Sequence, residues 1–435
     1  MNVDEEVLTS ESSSTSNIQD DRSSLESSDW DEHYSFSTEE NPSNNDIDRD
    51  RSFQRSDDKE SKQFQRIVGE SKPVYTWNCD RELMHREHNI INRIGWRGGH
   101  TSDQSFGQGF AGSRQAVEHL TLLKTLKHGS AFSLNFNREG NLIISSTQSK
   151  IVIWDWANNK VLHKFRPDPK NYIYKAKFIS SHGCLDIVCW TYEGLVIRSL
   201  IPPSGGAPKS ECLFSHSDLQ ENCIHQIVIV PQNRDEIMSA CQDGTIRIFD
   251  LRTPSTKETI FHVRKDENDT ALRSIAHHPI APEFCVGAND NVVRVYDRRQ
   301  LTKPIYKMTP NNSCDCPTVH SVVYNHNGSE ILASFNDGKN FLLDSRNCRE
   351  DGFLHCYYED LDRVHFFGPR SQYIVGRNST NIFFWDKNTE EVICGNAGPE
   401  ASYLGHLEVH PMLPVLSTSY NNSGIHIWIP NGLNL

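Results

Sequence analysis

A short phrase recurs along the chain: alternating apolar positions that end in an aromatic residue followed by Asp. It reads Ile151-Val152-Ile153-Trp154-Asp155, Ile246-Arg247-Ile248-Phe249-Asp250, Val293-Arg294-Val295-Tyr296-Asp297, Asn340-Phe341-Leu342-Leu343-Asp344, Ile382-Phe383-Phe384-Trp385-Asp386 and Ile425-His426-Ile427-Trp428. A degenerate copy, Leu195-Val196-Ile197-Arg198-Ser199, falls in the gap. The aromatic positions 154, 199, 249, 296, 343, 385 and 428 are spaced by 45, 50, 47, 47, 42 and 43 residues. Period-2 alternation predicts a strand at every copy. A second apolar run and a turn precede each one, as in Ile237-Met238-Ser239-Ala240-Cys241 followed by Gln242-Asp243-Gly244, which reads as a strand and a tight hairpin. Asp290-Asn291 and Asp337-Gly338 take the same turn position. A third strand lies upstream, as in residues 132–136 or 320–324, closed by a polar turn such as Asn137-Arg138-Glu139-Gly140.

A repeat of this length ending in Trp-Asp resembles the blades of WD-type β-propellers. Seven copies predict an all-β chain folded as a seven-bladed propeller, because a four-stranded unit cannot bury both of its faces alone and must stack on its neighbours. Ring closure needs a strand from the start of the repeat region. Residues 118–126 lie ahead of the first unit and are expected to complete the seventh blade beside Trp428. The Gly-His pair common in such repeats is altered to Lys127-His128-Gly129 in the first unit, and Gly405-His406 is expected inside a strand. The second blade, with Ser199 at the aromatic position, departs furthest from the pattern.

Charge divides the chain sharply. The first fifty residues hold 15 Asp or Glu against 2 Lys or Arg, while the whole chain has a net charge of −13, so the remainder balances at 42 against 42. Residues 1–74, rich in Ser, Asn and acidic side chains, are expected to be a disordered tail, since they carry too few large apolar groups to offset the entropy of ordering. Its acidic serine stretches would suit acid-directed kinases. Residues 75–116 form a helical or irregular segment, with a helix expected over 81–93 between the cap Asp80 and the stop Gly95. Residues 117–435 form the propeller. A balanced propeller behind an acidic tail offers no basic stripe for direct nucleic-acid binding. No secretory leader or run long enough to span a bilayer is evident, and an intracellular location, nuclear or cytoplasmic, is expected. The 12 cysteines lack paired spacing; Cys314-Asp315-Cys316 with His320 falls short of a tetrahedral set, so neither a metal nor a disulfide is expected.

Catalytic signals are weak. Gly107-Gln108-Gly109-Phe110-Ala111-Gly112 has glycine spacing like a dinucleotide loop but follows no strand and opens no βαβ unit. His128, Asp243, Asp290 and Asp337 recur at fixed repeat positions, where they are expected to tie turns to strands. Binding is the better reading, and no cofactor is expected. Three consecutive blades place an Arg two residues past the terminal Asp: Asp250-Leu251-Arg252, Asp297-Arg298-Arg299 and Asp344-Ser345-Arg346. Alternation along the exiting chain should send each Asp and Arg to one side, aligning guanidinium forks along one rim. The bland alternative is that each Arg merely pairs with its own Asp.

The aromatic-Asp-x-Arg phrase resembles the motif by which WD-repeat substrate receptors of cullin-4 ubiquitin ligases dock onto the large propeller adaptor of the ligase. Further likeness to that class lies in residues 215–301, in Val364-His365-Phe366-Phe367-Gly368-Pro369-Arg370-Ser371 and in His410-Pro411-Met412-Leu413-Pro414-Val415-Leu416. The resemblance implies a non-enzymatic receptor that holds a protein substrate and engages the adaptor and cullin-4 complex. It assigns adaptor contact to Arg252 and Arg299, supported by Asp250 and Asp297 and by Phe249 and Tyr296. It gives the third copy less weight, because Leu343 replaces the aromatic, and it offers the 81–93 helix as a second docking element or as packing under the disc. The alternative is a WD-repeat scaffold in a chromatin or signalling assembly outside ubiquitylation.

Overall fold

In a computed structural model, residues 103–431 are described apart from 128, 130, 181–184, 192, 203–205, 215–222, 253–258, 266–267, 311–317, 347–351, 359–362, 379–380, 398–403 and 421–423, together with residues 82–84 and 87. The regular elements of the described part are almost all strands. Seven four-stranded antiparallel sheets form the blades of a β-propeller. Their first strands are Ser133–Phe136, Ile173–Ser180, Ile224–Ile229, Leu272–His277, Val319–Tyr324, Arg363–Phe367 and Leu404–Val409. These strands meet their counterparts in neighbouring blades around the channel, including blade 7 against blade 1.

The third strands are the repeated phrases themselves. They span Ile151–Asp155, Val196–Ile201, Thr245–Asp250, Val293–Asp297, Lys339–Asp344, Asn381–Asp386 and Gly424–Pro430. Both faces of a third strand are covered by adjoining blades, so four or more consecutive residues are buried in most of them. Buried side chains collect into clusters that alternate around the ring, one between each pair of blades, for example Val230, Ile246, Ile275 and Tyr296 between blades 3 and 4.

Closure follows the expected route. Leu120–Leu126 pairs antiparallel with Gly424–Pro430 as the outer strand of blade 7, with Leu122 opposite Trp428 and Leu126 opposite Ile425. Leu120 and Leu126 are buried there. Just ahead lie a helix, Asp103–Ala111, and a short helix, Arg114–Glu118, capped by Ser113, whose Oγ accepts the Ala116 N–H at 3.2 Å. The glycine-bearing stretch 107–112 is thus largely helix, which leaves no phosphate-cradling loop there. The acidic tail and most of the 81–93 segment lie outside the described residues; residues 82–84 and 87 are helical.

Blade 2 is complete despite its degenerate phrase. Ser199 pairs with Ile187, as Trp154 pairs with Ile143 and Phe249 with Ile237, so it does occupy the aromatic register. Two substitutes compensate. Trp190, on the second strand, is fully buried in the same inter-blade cluster as Phe249. The carboxylate has moved across the pair to Asp186, which receives Arg198 Nη2 at 2.6 Å. Gly405-His406 lies inside the first strand of blade 7, as expected. No described helix is long and apolar enough to cross a membrane.

Candidate binding face

The third strand ends in Asp in five blades, and in each the carboxylate caps the turn that follows. Asp155 accepts the Asn158 N–H at 3.1 Å, Asp250 that of Arg252 at 2.9 Å, and Asp297 that of Arg299 at 2.8 Å. Asp344 accepts from Arg346 at 3.0 Å and Asp386 from Asn388 at 2.9 Å. This Asx-type turn is a repeat-wide device for leaving the sheet. Because all third strands run in one direction, the five corners open on the same face of the disc.

Blades 3 and 4 add something to this turn. Arg252 Nε donates to Asp250 Oδ1 at 3.0 Å and Nη2 to Oδ2 at 2.7 Å, a two-pronged pair. Arg299 repeats it on Asp297, with Nε at 3.0 Å and Nη2 at 2.8 Å. Their side chains remain 61% and 74% exposed. Hydrogen bonds from Arg252 hold the Asp250 carboxyl down to about 2, and Arg299 lowers Asp297 in the same way. A guanidinium has five N–H donors, and a fork against one carboxylate leaves others for a second acceptor. The Asp therefore fixes the Arg in orientation while the outer edge stays presented. Each Arg does pair with its own Asp, as the bland alternative had it.

The middle residue of the motif turns inward. Leu251 is 3% exposed, and Ser345 is buried with its Oγ donating to Gly328 O at 2.8 Å. Arg298 forms an ion pair with Glu236 of the preceding blade. Lys387, which follows Asp386, does the same with Glu330 at 2.8 Å. These inter-blade staples were not foreseen from sequence; the available signal was a basic residue after the Asp together with a Glu opening the second strand one blade earlier.

Two expected contacts change role. Phe249 is 9% exposed and packs on Phe214 at a ring separation of 5.4 Å, while Tyr296 is 2% exposed and stacks on Phe284 at 5.5 Å. Both rings are buried between blades, where they hold the strand end in place. In the third copy Leu343 is fully buried and Arg346 is exposed.

The turn aspartates act as expected. Asp243 accepts from Thr245 N at 2.8 Å and Oγ1 at 2.6 Å. Asp290 takes Arg294 in a buried fork at 3.0 and 2.6 Å, and Asp337 accepts the Lys339 N–H at 3.2 Å. His128 lies outside the described residues.

No family model matches the sequence. It is 28% identical over 261 residues to "DDB1- and CUL4-associated factor 6" of Mus musculus, covering 55% of this chain and 29% of that protein. The Homo sapiens protein of the same name gives 28% over 261 residues and 30% of its length, so the chain spans under a third of these relatives. A guanine nucleotide-binding protein subunit beta of Nicotiana tabacum is 23% identical over 295 residues, covering 64% of this chain and 74% of that protein. Among solved structures, the Cps50 (Swd1) β-propeller domain of Myceliophteria thermophila superposes with a TM-score of 0.56 at 16% identity, covering 71% of this chain and 99% of that one. These likenesses support a WD-repeat β-propeller and reveal no catalytic family.

Proposed function

We propose that this WD-repeat propeller is a non-catalytic substrate receptor of a cullin-4 RING ubiquitin ligase, which docks on the propeller adaptor through its Asp-x-Arg corners and presents a target protein. The observation that carries the reading is the pair Arg252 and Arg299, each exposed, each aimed by its own Asp, at equivalent corners of adjacent blades. Similarity to a protein named as a cullin-4-associated factor supports it. A finer resemblance, to cullin-4-associated factor eight, rests on residues 215–301 and on the Phe-Gly-Pro-Arg-Ser turn at 367–371. Acceleration would come from proximity, with target lysines held near the charged ubiquitin carrier. The intracellular location, nuclear or cytoplasmic, belongs to the same reading.

The test is Arg252→Ala combined with Arg299→Ala in the full chain. Co-purification of the adaptor and cullin-4 should be lost while the melting temperature is unchanged; undiminished recovery would refute the docking face. The match to a G-protein beta subunit covers more of this chain, at lower identity, and favours a second reading as a scaffold outside ubiquitylation. Affinity purification with mass spectrometry separates the two by whether cullin-4 subunits are recovered.

A further inference from the structure

The channel at the opposite face has its own chemistry. Lys175 and Lys177 from blade 2, Arg273 from blade 4 and Arg363 from blade 6 line one cavity. Glu408 is the one carboxylate among the described residues lining it. Asn135 Nδ2 donates to Glu408 at 2.9 Å, and burial pushes the Glu408 carboxyl up to about 7, so it is a weak counter-charge. The balanced net charge of the propeller conceals this segregation.

Backbone geometry builds the site. Five first strands carry a register irregularity near their starts, between Ile173 and Lys175, Ile224 and Gln226, Leu272 and Ser274, Val319 and Ser321, and Leu404 and His406. An extra residue at such a point re-aims a side chain, and in blade 4 that residue is Arg273. First and third strands run the same way, so these starts lie on the face away from the Asp-x-Arg corners.

Two buried polar atoms on the lining support the same conclusion. Trp190 is fully buried and its Nε1–H finds no acceptor among the described residues; His406 is 9% exposed and its Nδ1 finds no partner there either. Leaving such groups unmatched is unfavourable, and crowding like charges adds to it. Burial, followed by the charges of Arg363 and Lys177, holds the Lys175 ammonium well below its ordinary range. Cations crowded at one concave point have the character of a binding site. An anion would offset the crowded positive charge.

We propose that this channel mouth binds the phosphate of a phosphorylated peptide. Four basic side chains suit a dianion. The half-buried Val323 beside them suits the flanking peptide better than a free polyphosphate, which offers nothing to bury. This deepens the receptor reading, and it rests on that reading only in calling the peptide a target.

The experiment uses the purified full chain and a fluorescein-labelled degenerate peptide pool, four random residues on each side of a phosphoserine, with the unphosphorylated pool as control. Fluorescence polarisation should show at least tenfold tighter binding of the phosphorylated pool. Lys175→Ala with Arg363→Ala should weaken it tenfold or more, as should Arg273→Ala alone, a change at an exposed side chain that leaves the core intact. Adaptor co-purification should be the same for all variants, so failure of this site and failure of the docking face read out separately. Equal binding of both pools, indifference to the substitutions, or binding of inositol hexakisphosphate with none of either peptide pool would overturn the proposal.

Discussion

His410 Nε2 donates to the carbonyl oxygen of Gly140 at 2.9 Å, joining the last blade to the first. Its Nδ1 accepts the N–H groups of Met412 and Leu413, at 3.0 and 2.9 Å, which fixes the neutral tautomer. Blades 4 and 5 repeat the arrangement: His278 Nδ1 accepts from Ile280 and Ala281, and its ring lies against Gly328. Both glycines have positive φ, 78° and 80°, and a Cβ on either would fall on the imidazole.

Gly140→Ala and Gly328→Ala should therefore each destabilise the propeller by about 2 kcal/mol or more, combining left-handed strain with a steric clash. Thermal melts should show the loss. In Gly328→Ala with His278→Ala the clash disappears but the strain remains, so the double variant should be less destabilised than the sum of the single changes. Strict additivity would contradict this account.

Stability should fall on mild acidification. Burial, as the largest cause, holds His225, His365 and His410 down to about 4, from an ordinary value near 6.5. The unfolded chain then binds more protons than the folded one between those values. The contribution of these groups is complete above about pH 6.5 and is lost as pH falls toward 4. Melting temperature measured from pH 7.5 to 4 should be flat at first and then drop; a maximum near pH 5 would contradict the assignment.

The buried pair in blade 2 gives a different signature. Asp186 is fully buried, and its pair with Arg198 also positions Nη1 on Leu251 O of the next blade at 2.9 Å. Asp186→Ala should cost about 3–5 kcal/mol, because it strands a partly buried guanidinium. Replacing both residues with apolar ones should cost much less, as urea denaturation would reveal.

At the corners, Asp and Arg substitutions should separate. Asp297→Ala removes a turn cap as well as the Arg299 partner and should lower stability by about 1 kcal/mol, as should Asp155→Ala in a blade without the Arg. Arg299→Ala should leave stability unchanged and affect adaptor recovery alone. Equal destabilisation by the Asp and Arg changes would show the arginine to be a structural group.

The blade count, the closing strand and the turn aspartates were legible in the chain, because a repeat of alternating apolar residues has one way to bury both faces and each blade reuses the same local hydrogen bonds. Even Ser199 could be placed by spacing, although Trp190 and Asp186, which compensate for it, come from the facing strand and have no local signature. The exposed arginines at Arg252 and Arg299 could be read two residues past each Asp. That Phe249 and Tyr296 are covered depended on which blade packs over them, and no local pattern records that.

The basic channel was hidden for the same reason. Lys175 with Lys177, Arg273 and Arg363 lie far apart in sequence, on three strands whose other residues are largely apolar. Closure of the ring brings them to one point. By itself the sequence determined the repeat, and hence the disc and its Asp-x-Arg rim, because those follow from local alternation and short-range turns. Only the tertiary structure decided which residues of different blades meet, because radial stacking sets distances that separation along the chain does not encode.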